Sequence, residues 1–307
     1  MTDASTVATQ PGPGHELPPP EQPREVSRSL WADGWRELRS KPLFWVSLLV
    51  VLAVSSMAVL PGLWASGSPD ECLLARGRQG PSGAHPFGFT LQGCDMWAKI
   101  VYGASKSLAV ALLATAGAVA FGMLVGTLAG YFPGFVDTLL SRFTDIFFGL
   151  PFLLGAVVFL AVVPDRNVFT IAAVIAGLGW TTIARIMRGS VLGTKNRDFV
   201  EAARALGATN ARVIMRHILP NSIAPIIVLA TIYLGIYVGL EATLTYLGVG
   251  FERPNTTWGL LIAEGQPYAL QGDSHLLIIP CGILVLTVLA FILLGDLLRD
   301  AFDPRGR

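Results

Sequence analysis

The sequence predicts an all-α polytopic membrane protein with six transmembrane helices, and three observations carry that expectation. Hydrophobic residues make up 52% of the chain and charged residues 14%, with a mean hydropathy of +0.58, too apolar for a soluble domain of ordinary composition. Six stretches are free of charge over about the 20 residues that a hydrocarbon core demands: Leu43 to Leu63, Ser107 to Tyr131, Ile146 to Val163, Val168 to Ala184, Ile223 to Leu240 and Leu276 to Gly295. Lys and Arg are also distributed unevenly between the two sides of these stretches.

The elements follow in order. Residues 1–24 are rich in proline and poor in apolar residues; with no apolar core of a signal peptide they read as a disordered tail. From 25 to 42 the composition changes: Val26, Leu30, Trp31, Trp35 and Leu38 fall on one helical face and Arg28, Arg36, Arg39 and Lys41 elsewhere. That pattern suits a helix lying in the membrane interface, with a solvated linker as the plainer alternative. Residues 43–63 form the first span and 64–104 a loop. Residues 105–298 form a five-helix core interrupted by a connection at 185–221, and 299–307 form a tail. In this layout 16 of the 22 Lys and Arg lie on the side of both termini, so the termini and the 185–221 connection are expected in the cytoplasm.

Cys72 and Cys94 share the first outer loop, where a disulfide is permitted, although sequence says nothing of their geometry. Cys281 falls inside the sixth span.

The connection EAARALGATNARVIMRHILPN, residues 201–221, packs three arginines, a glutamate and a histidine among apolar spans. Asp198 followed by Glu201 has the form of a capping box opening a helix that Gly207 stops. Thr209 or Asn210 can cap a second helix, Ala211 to about Leu219, which Pro220 ends. Val213, Ile214 and Ile218 form its apolar side and Arg212 and Arg216 another. Each feature has a bland reading: a cap, a positive-inside marker, interfacial packing. Together they form more architecture than topology needs, and a docking platform is the simplest use.

Here the pattern resembles a known family. Glu201, Ala202, Ala203, Gly207, Ile218, Leu219 and Pro220 are similar to the EAA motif of ABC importer permeases, and His217, Ile218, Leu219, Pro220 and Asn221 resemble the HILPN of the peptide and nickel branch. From about His85 the likeness continues: His85, Pro86, Gly88, Gly93, Asp95, Tyr102, Gly103, Ser107 and Leu108, then Gly130, Tyr131, Phe132 and Gly134, then Trp258 and Gly259. It ends with Gly295, Asp296, Leu298, Arg299, Asp300, Asp303, Pro304 and Arg305. The greatest likeness is to the second, or C, permease subunit of dipeptide and oligopeptide importers.

This resemblance implies a type I ABC importer permease fold in a bacterial inner membrane and import of peptides, with nickel or another solute as an alternative cargo. It implies four kinds of partner besides the lipid bilayer: a homologous second permease, two ATPase subunits or one fused ATPase, an extracytoplasmic solute-binding protein, and the peptide substrate. Glu201, Ala202, Ala203, Gly207, Arg212, Ile214, Arg216, His217, Ile218, Leu219 and Pro220 are the implied ATPase-coupling residues. Phe89, Thr90 and Cys94 depart from the family pattern, Cys94 standing where the family has Arg, which strengthens the case for a Cys72–Cys94 bond.

Several chemistries lack their motifs. There is no GxxxxGK[ST] loop, HExxH or GxSxG, and the four histidines are scattered, so no catalytic, cofactor, metal or nucleic-acid site is expected and ATP and Mg would be used by partner subunits. Glu241, near the outer end of the fifth span, is the best intramembrane ionisable candidate. It suits either a gate or pathway position or the proton site of an ion-coupled secondary transporter. Asp145 can pair with Arg142 at i, i+3. Gly122, Gly126 and Gly130, and Gly235 with Gly239, make small-residue faces, either for internal packing or for a second chain. Pro151 and Pro280 can kink spans three and six.

Overall fold

The computed structural model describes residues 30–302. The proline-rich tail, positions 25–29 of the interfacial helix and the last five residues lie outside them. Among the described residues the regular elements are helices, with two isolated β-bridges in the first outer loop.

The first helix, α1 (Leu30–Ser40), leads directly into α2 (Pro42–Val59). Its expected apolar face is only partly available to lipid. Leu38 is buried against Phe44, Leu297 and Ala301, and Lys41 joins Glu37 at 3.2 Å and Asp300 at 3.5 Å. The helix is therefore pinned to the C-terminal end of the last long helix, while Trp35 and Trp45 remain exposed, as amphipathic aromatics at an interface do.

Among the described residues five helices are long and apolar enough to cross a membrane: α2, α3 (Met96–Tyr131), α6 (Val168–Thr194), α10 (Ala224–Tyr246) and α12 (His275–Phe302). Helices α4 (Phe135–Phe148) and α5 (Phe152–Val162), bent by 81° at their junction, pass the same test together and bring the number to six when the pair is counted as one span. Where one third helix was expected, Gly149, Leu150 and Pro151 break the run. Proline lacks an N–H to continue the ladder and forces its predecessor out of helical geometry. Pro280, by contrast, sits within an unbroken α12.

Helix α3 starts eleven residues before the charge-free run does. Asp95 caps it, its Oδ1 accepting from Ala98 N at 3.0 Å, and Lys99 and Lys106 ride on turns outside the apolar stretch, bonded to Thr256 and Asn255. At 36 residues α3 is about 54 Å long, well beyond a hydrocarbon layer of about 30 Å. A charge-free window measures the hydrocarbon part of a helix, not the helix.

The core is centred on the α3–α6 pair. Gly122, Gly126 and Gly130 all turn toward α6, so this stripe is an internal seam. A β-carbon at Gly126 would stand 2.8 Å from Met187 Cβ and overlap the Ala184 carbonyl. The side-chain-free face lets the backbones approach, and dispersion and packing supply the attraction that hydrophobicity cannot supply within lipid. Gly235 likewise meets Phe291 and Val288 of α12. Asp145 takes Arg185 of α6 at 2.9 Å in preference to Arg142 at 3.8 Å. With Arg188 held by Asp137 at 2.6 and 2.8 Å, two ion pairs fasten α4 to the inner half of α6.

At the N-terminal end of α3, α11 (Trp258–Gly265) wedges between α3, α10 and α12. Its Trp258 is fully buried and donates from Nε1 to Ile100 O at 2.9 Å. The first outer loop is closed by a disulfide between Cys72 and Cys94.

Candidate functional site

The connection after α6 folds as helix, elbow, helix. In α7 (Asp198–Ala205) the N-cap residue is Arg197, without a side-chain cap, so the expected capping box at Asp198 is not formed. Asp198 and Glu201 instead occupy the first turn, where the exposed N–H groups of the helix favour negative charge. Gly207 forms the elbow at φ +82°, a left-handed conformation that glycine adopts without steric cost. Thr209 caps the next helix through Arg212 N.

That second helix does not stop at Pro220. It runs as α8 (Asn210–Val213), a π turn (Ile214–Ile218) and α9 (Leu219–Ser222). The π turn closes with Leu219 N bonded to Ile214 O. Widening the helix by one residue ahead of the proline accommodates a ring that would clash with the carbonyl four residues back. Asn221 Nδ2 donates to His217 O at 2.7 Å, supplying one of the bonds that the widened turn disrupts.

Burial shows which side of the segment its own subunit covers. Val213 and Ile218 are fully buried in the main core and Ile214 is partly buried against it, so this stripe anchors the segment to its own subunit. A fixed 3.6-residue periodicity shows that an apolar side exists but not what covers it. Four polar links reinforce the anchor: Tyr131 Oη to Asn210 Oδ1 at 2.7 Å, Lys195 Nζ to Gly130 O at 2.9 Å, Ser222 Oγ to Thr194 Oγ1 at 3.0 Å and Ser190 Oγ to Ser222 O at 3.0 Å. They tie the segment to the C-terminal ends of α3 and α6. Leu219 and His217 are half-buried, and Phe199 lies 6.5 Å from the His217 ring.

The outward face is different. Glu201, Ala202, Gly207, Arg212, Arg216 and Pro220 are exposed and Ala203 half-exposed. Between them stand two large apolar side chains that the sequence reading did not single out, Leu206 at 89% and Met215 at 68% exposure. Leu206 could have been found, because it precedes the left-handed Gly207 at a helix end, where its side chain has no partner turn. Met215 could not, since it lies next to the buried positions in sequence.

Glu241 lies near the far end of α10 from this segment. It is wholly buried, accepts from Thr245 Oγ1 at 2.9 Å through Oε1, and has Ser107 and Thr257 as further neighbours. Its Oε2 has no partner among the described residues. Thr245 in turn accepts from Phe251 N at 3.2 Å, so the carboxylate joins α3, α10 and the start of α11.

A bundle of five long apolar helices and one bent pair, with a folded segment anchored at one end, is the architecture of an integral membrane protein. Residues 122–307 match the model of the family described as binding-protein-dependent transport system inner membrane component. Residues 29–81 match that of the N-terminal TM domain of oligopeptide transport permease C. The dipeptide transport system permease protein DppC of Alkalihalophilus pseudofirmus is 35% identical over 95% of both chains. The oligopeptide transport system permease protein OppC of Bacillus subtilis is 32% identical over 94% of this chain and 93% of its own. The glutathione transport system permease protein GsiD of Pectobacterium atrosepticum is 32% identical over 91% of this chain and 92% of its own. A solved inward-facing MetNI methionine ABC transporter superposes with a TM-score of 0.51 at 24% identity, covering 67% of this chain and 97% of that one, which supports the fold. The chain belongs to the binding-protein-dependent transport system inner membrane component family.

Proposed function

We propose that this protein is a non-catalytic permease subunit of an ATP-driven peptide importer, forming half of the translocation pathway and coupling to a separate ATPase through residues 201–221. Both termini face the cytoplasm, a homologous permease supplies the other half, and a solute-binding protein delivers peptide from outside. The peptide cargo is supported by the names of the DppC and OppC relatives. The observation that carries the coupling role is the two-faced segment: Val213 and Ile218 buried in the core, Leu206 and Met215 exposed on its other face.

The energetic demand is modest. Switching an equilibrium from 1:99 to 99:1 takes about 5.5 kcal/mol, or roughly 220 Å² of apolar contact differing between states at about 25 cal/mol per Å². A helix elbow seated in a groove is large enough. Exposed ion pairs of Arg212 and Arg216, at about 0 to 1 kcal/mol each, are not, and they serve register.

The test is uptake of a labelled dipeptide by proteoliposomes holding the whole complex, loaded with ATP and given a protonophore. ATP-dependent uptake that survives the protonophore is expected. Uptake abolished by the protonophore and by Glu241→Gln, with ATP still present, would make the protein an ion-coupled carrier instead.

A further inference from the structure

The docking face of residues 201–221 is only as well defined as the angle between its two arms, and the elbow does little to set that angle. Gly207 has the backbone freedom of glycine at φ +82°, and a β-carbon there would meet nothing within 4 Å. Three backbone bonds close the end of α7: Leu206 N to Ala202 O at 3.0 Å, Gly207 N to Arg204 O at 2.9 Å and Ala208 N to Ala203 O at 3.1 Å. All lie within residues 202–208, so they end the first arm without reaching the second. Val200 and Val213 each bury one side of an arm, but apolar burial is non-directional and does not fix how an arm is turned. Phe199 and His217 meet across the arms at 6.5 Å between ring centroids, near the outer limit of a stabilising aromatic pair.

One residue from outside the segment touches both arms. Tyr131, the last residue of α3, is 6% exposed. Its hydroxyl donates to Asn210 Oδ1 at 2.7 Å, at the start of the second arm. The Arg204 guanidinium of the first arm lies over its ring, 5.5 Å from the centroid. One side chain thus makes two directional contacts, a hydrogen bond at its edge and a cation on its face. The two partners stand three residues before and three residues after Gly207.

We propose that Tyr131 is a positioning residue that braces the elbow by holding Arg204 and Asn210 at once, a role that rests on the coupling reading above. It fixes the angle at which Leu206 and Met215 are presented to the ATPase and ties that angle to α3. The brace has a mechanical consequence. Helix α3 packs along α6 through its glycine stripe, so force applied at the elbow moves that pair as a unit instead of being absorbed by a bend at glycine.

The experiment measures the elbow and the coupling ratio together. Spin labels are attached at Ala202→Cys and Ala211→Cys, exposed positions on the two arms, in the full-length chain in lipid nanodiscs, with the free Cys281 changed to Ser. Dipolar electron paramagnetic resonance should give one narrow distance distribution. Tyr131→Phe cuts the hydrogen bond, and Arg204→Met removes the cation while keeping an unbranched stem. Each should broaden the distribution roughly twofold, and the double variant should be no broader than the wider single one, because a brace fails when either end is released. Asn210→Ala cuts the same bond from an exposed position and should match Tyr131→Phe, which separates the brace from any packing defect at Tyr131. In proteoliposomes holding the complete complex, peptide taken up per ATP hydrolysed should fall about threefold in each single variant and no further in the double, with ATPase copurification unchanged. An unchanged distribution, or additive losses of coupling, would overturn the brace. So would weaker ATPase copurification in Arg204→Met alone, which would make Arg204 a direct ATPase contact. If Leu206→Ala with Met215→Ala leaves the ATPase bound, the coupling reading itself fails; if that variant loses the ATPase while the Tyr131 and Arg204 variants keep a narrow distribution, only the brace fails.

Discussion

Truncating Leu206 and Met215 together to alanine separates docking from folding. Both side chains are largely exposed, at 89% and 68%, so little internal packing is lost with them. Burying a Leu or Met side chain fully contributes about 1.5 to 3 kcal/mol. Scaled by exposure and by the β-carbon that alanine keeps, the pair forfeits about 3 kcal/mol of contact with the ATPase. That is a weakening of about a hundredfold in the dissociation constant. The double variant should reach the membrane in normal amount and melt normally in detergent. It should fail to copurify its ATPase at micromolar concentration and show little ATP-dependent uptake. Ile218→Ala is the counterpart, because Ile218 is fully buried: it should cost about 2 to 5 kcal/mol of stability and appear as a lowered melting temperature. Normal ATPase copurification and uptake by the Leu206, Met215 variant would refute the assignment of the docking face. Loss of the ATPase on Ile218→Ala at unchanged stability would show that the inward stripe is the contact after all.

Three further outcomes are expected. Gly126→Val places side-chain atoms where Met187 and the Ala184 carbonyl stand. It should destabilise the α3–α6 seam by about 1 to 3 kcal/mol or more, seen as loss of membrane-inserted protein and a lowered melting temperature. Tyr131→Phe removes the bond to Asn210 Oδ1 at about 1 kcal/mol while leaving the ATPase bound, so uptake per ATP hydrolysed should fall with copurification unchanged. Reduction of the Cys72–Cys94 bond, which spans a sequence separation of 22, should release a constraint worth about 3 kcal/mol in chain entropy. The outer loop between them should become sensitive to added protease while the spans stay protected, and a loop equally resistant in both redox states would contradict this.

Much of the fold is legible in the sequence because a bilayer imposes a local rule. Where about 20 residues run without charge, a helix long and apolar enough to cross follows, the run broken at Gly149 to Pro151 excepted. The Gly207 elbow is legible for a similar reason, since helix termination and positive φ are properties of a few adjacent residues. The same locality explains the misplacements. Lys99 and Lys106 hid the outer turns of α3, because charge marks the hydrocarbon boundary and a helix continues past it. Pro220 was expected to end a helix, yet a π turn absorbs it, and the bond from Asn221 to the His217 carbonyl depends on a backbone path that no motif encodes.

The amino-acid sequence by itself determined that this is a six-crossing helical membrane protein with a structured connection between its fourth and fifth crossings, and which residues punctuate that connection. Only the tertiary structure decided which side of it is free. Val213 and Ile218 are buried in the core of their own subunit, leaving Leu206 and Met215 exposed. It likewise gave Asp145 to Arg185, placed the glycine stripe of α3 against α6, and broke the third crossing at Gly149 to Pro151. The physical reason is common to all four: periodicity and charge are set along the chain, whereas burial is set by whichever distant element arrives to cover a given face.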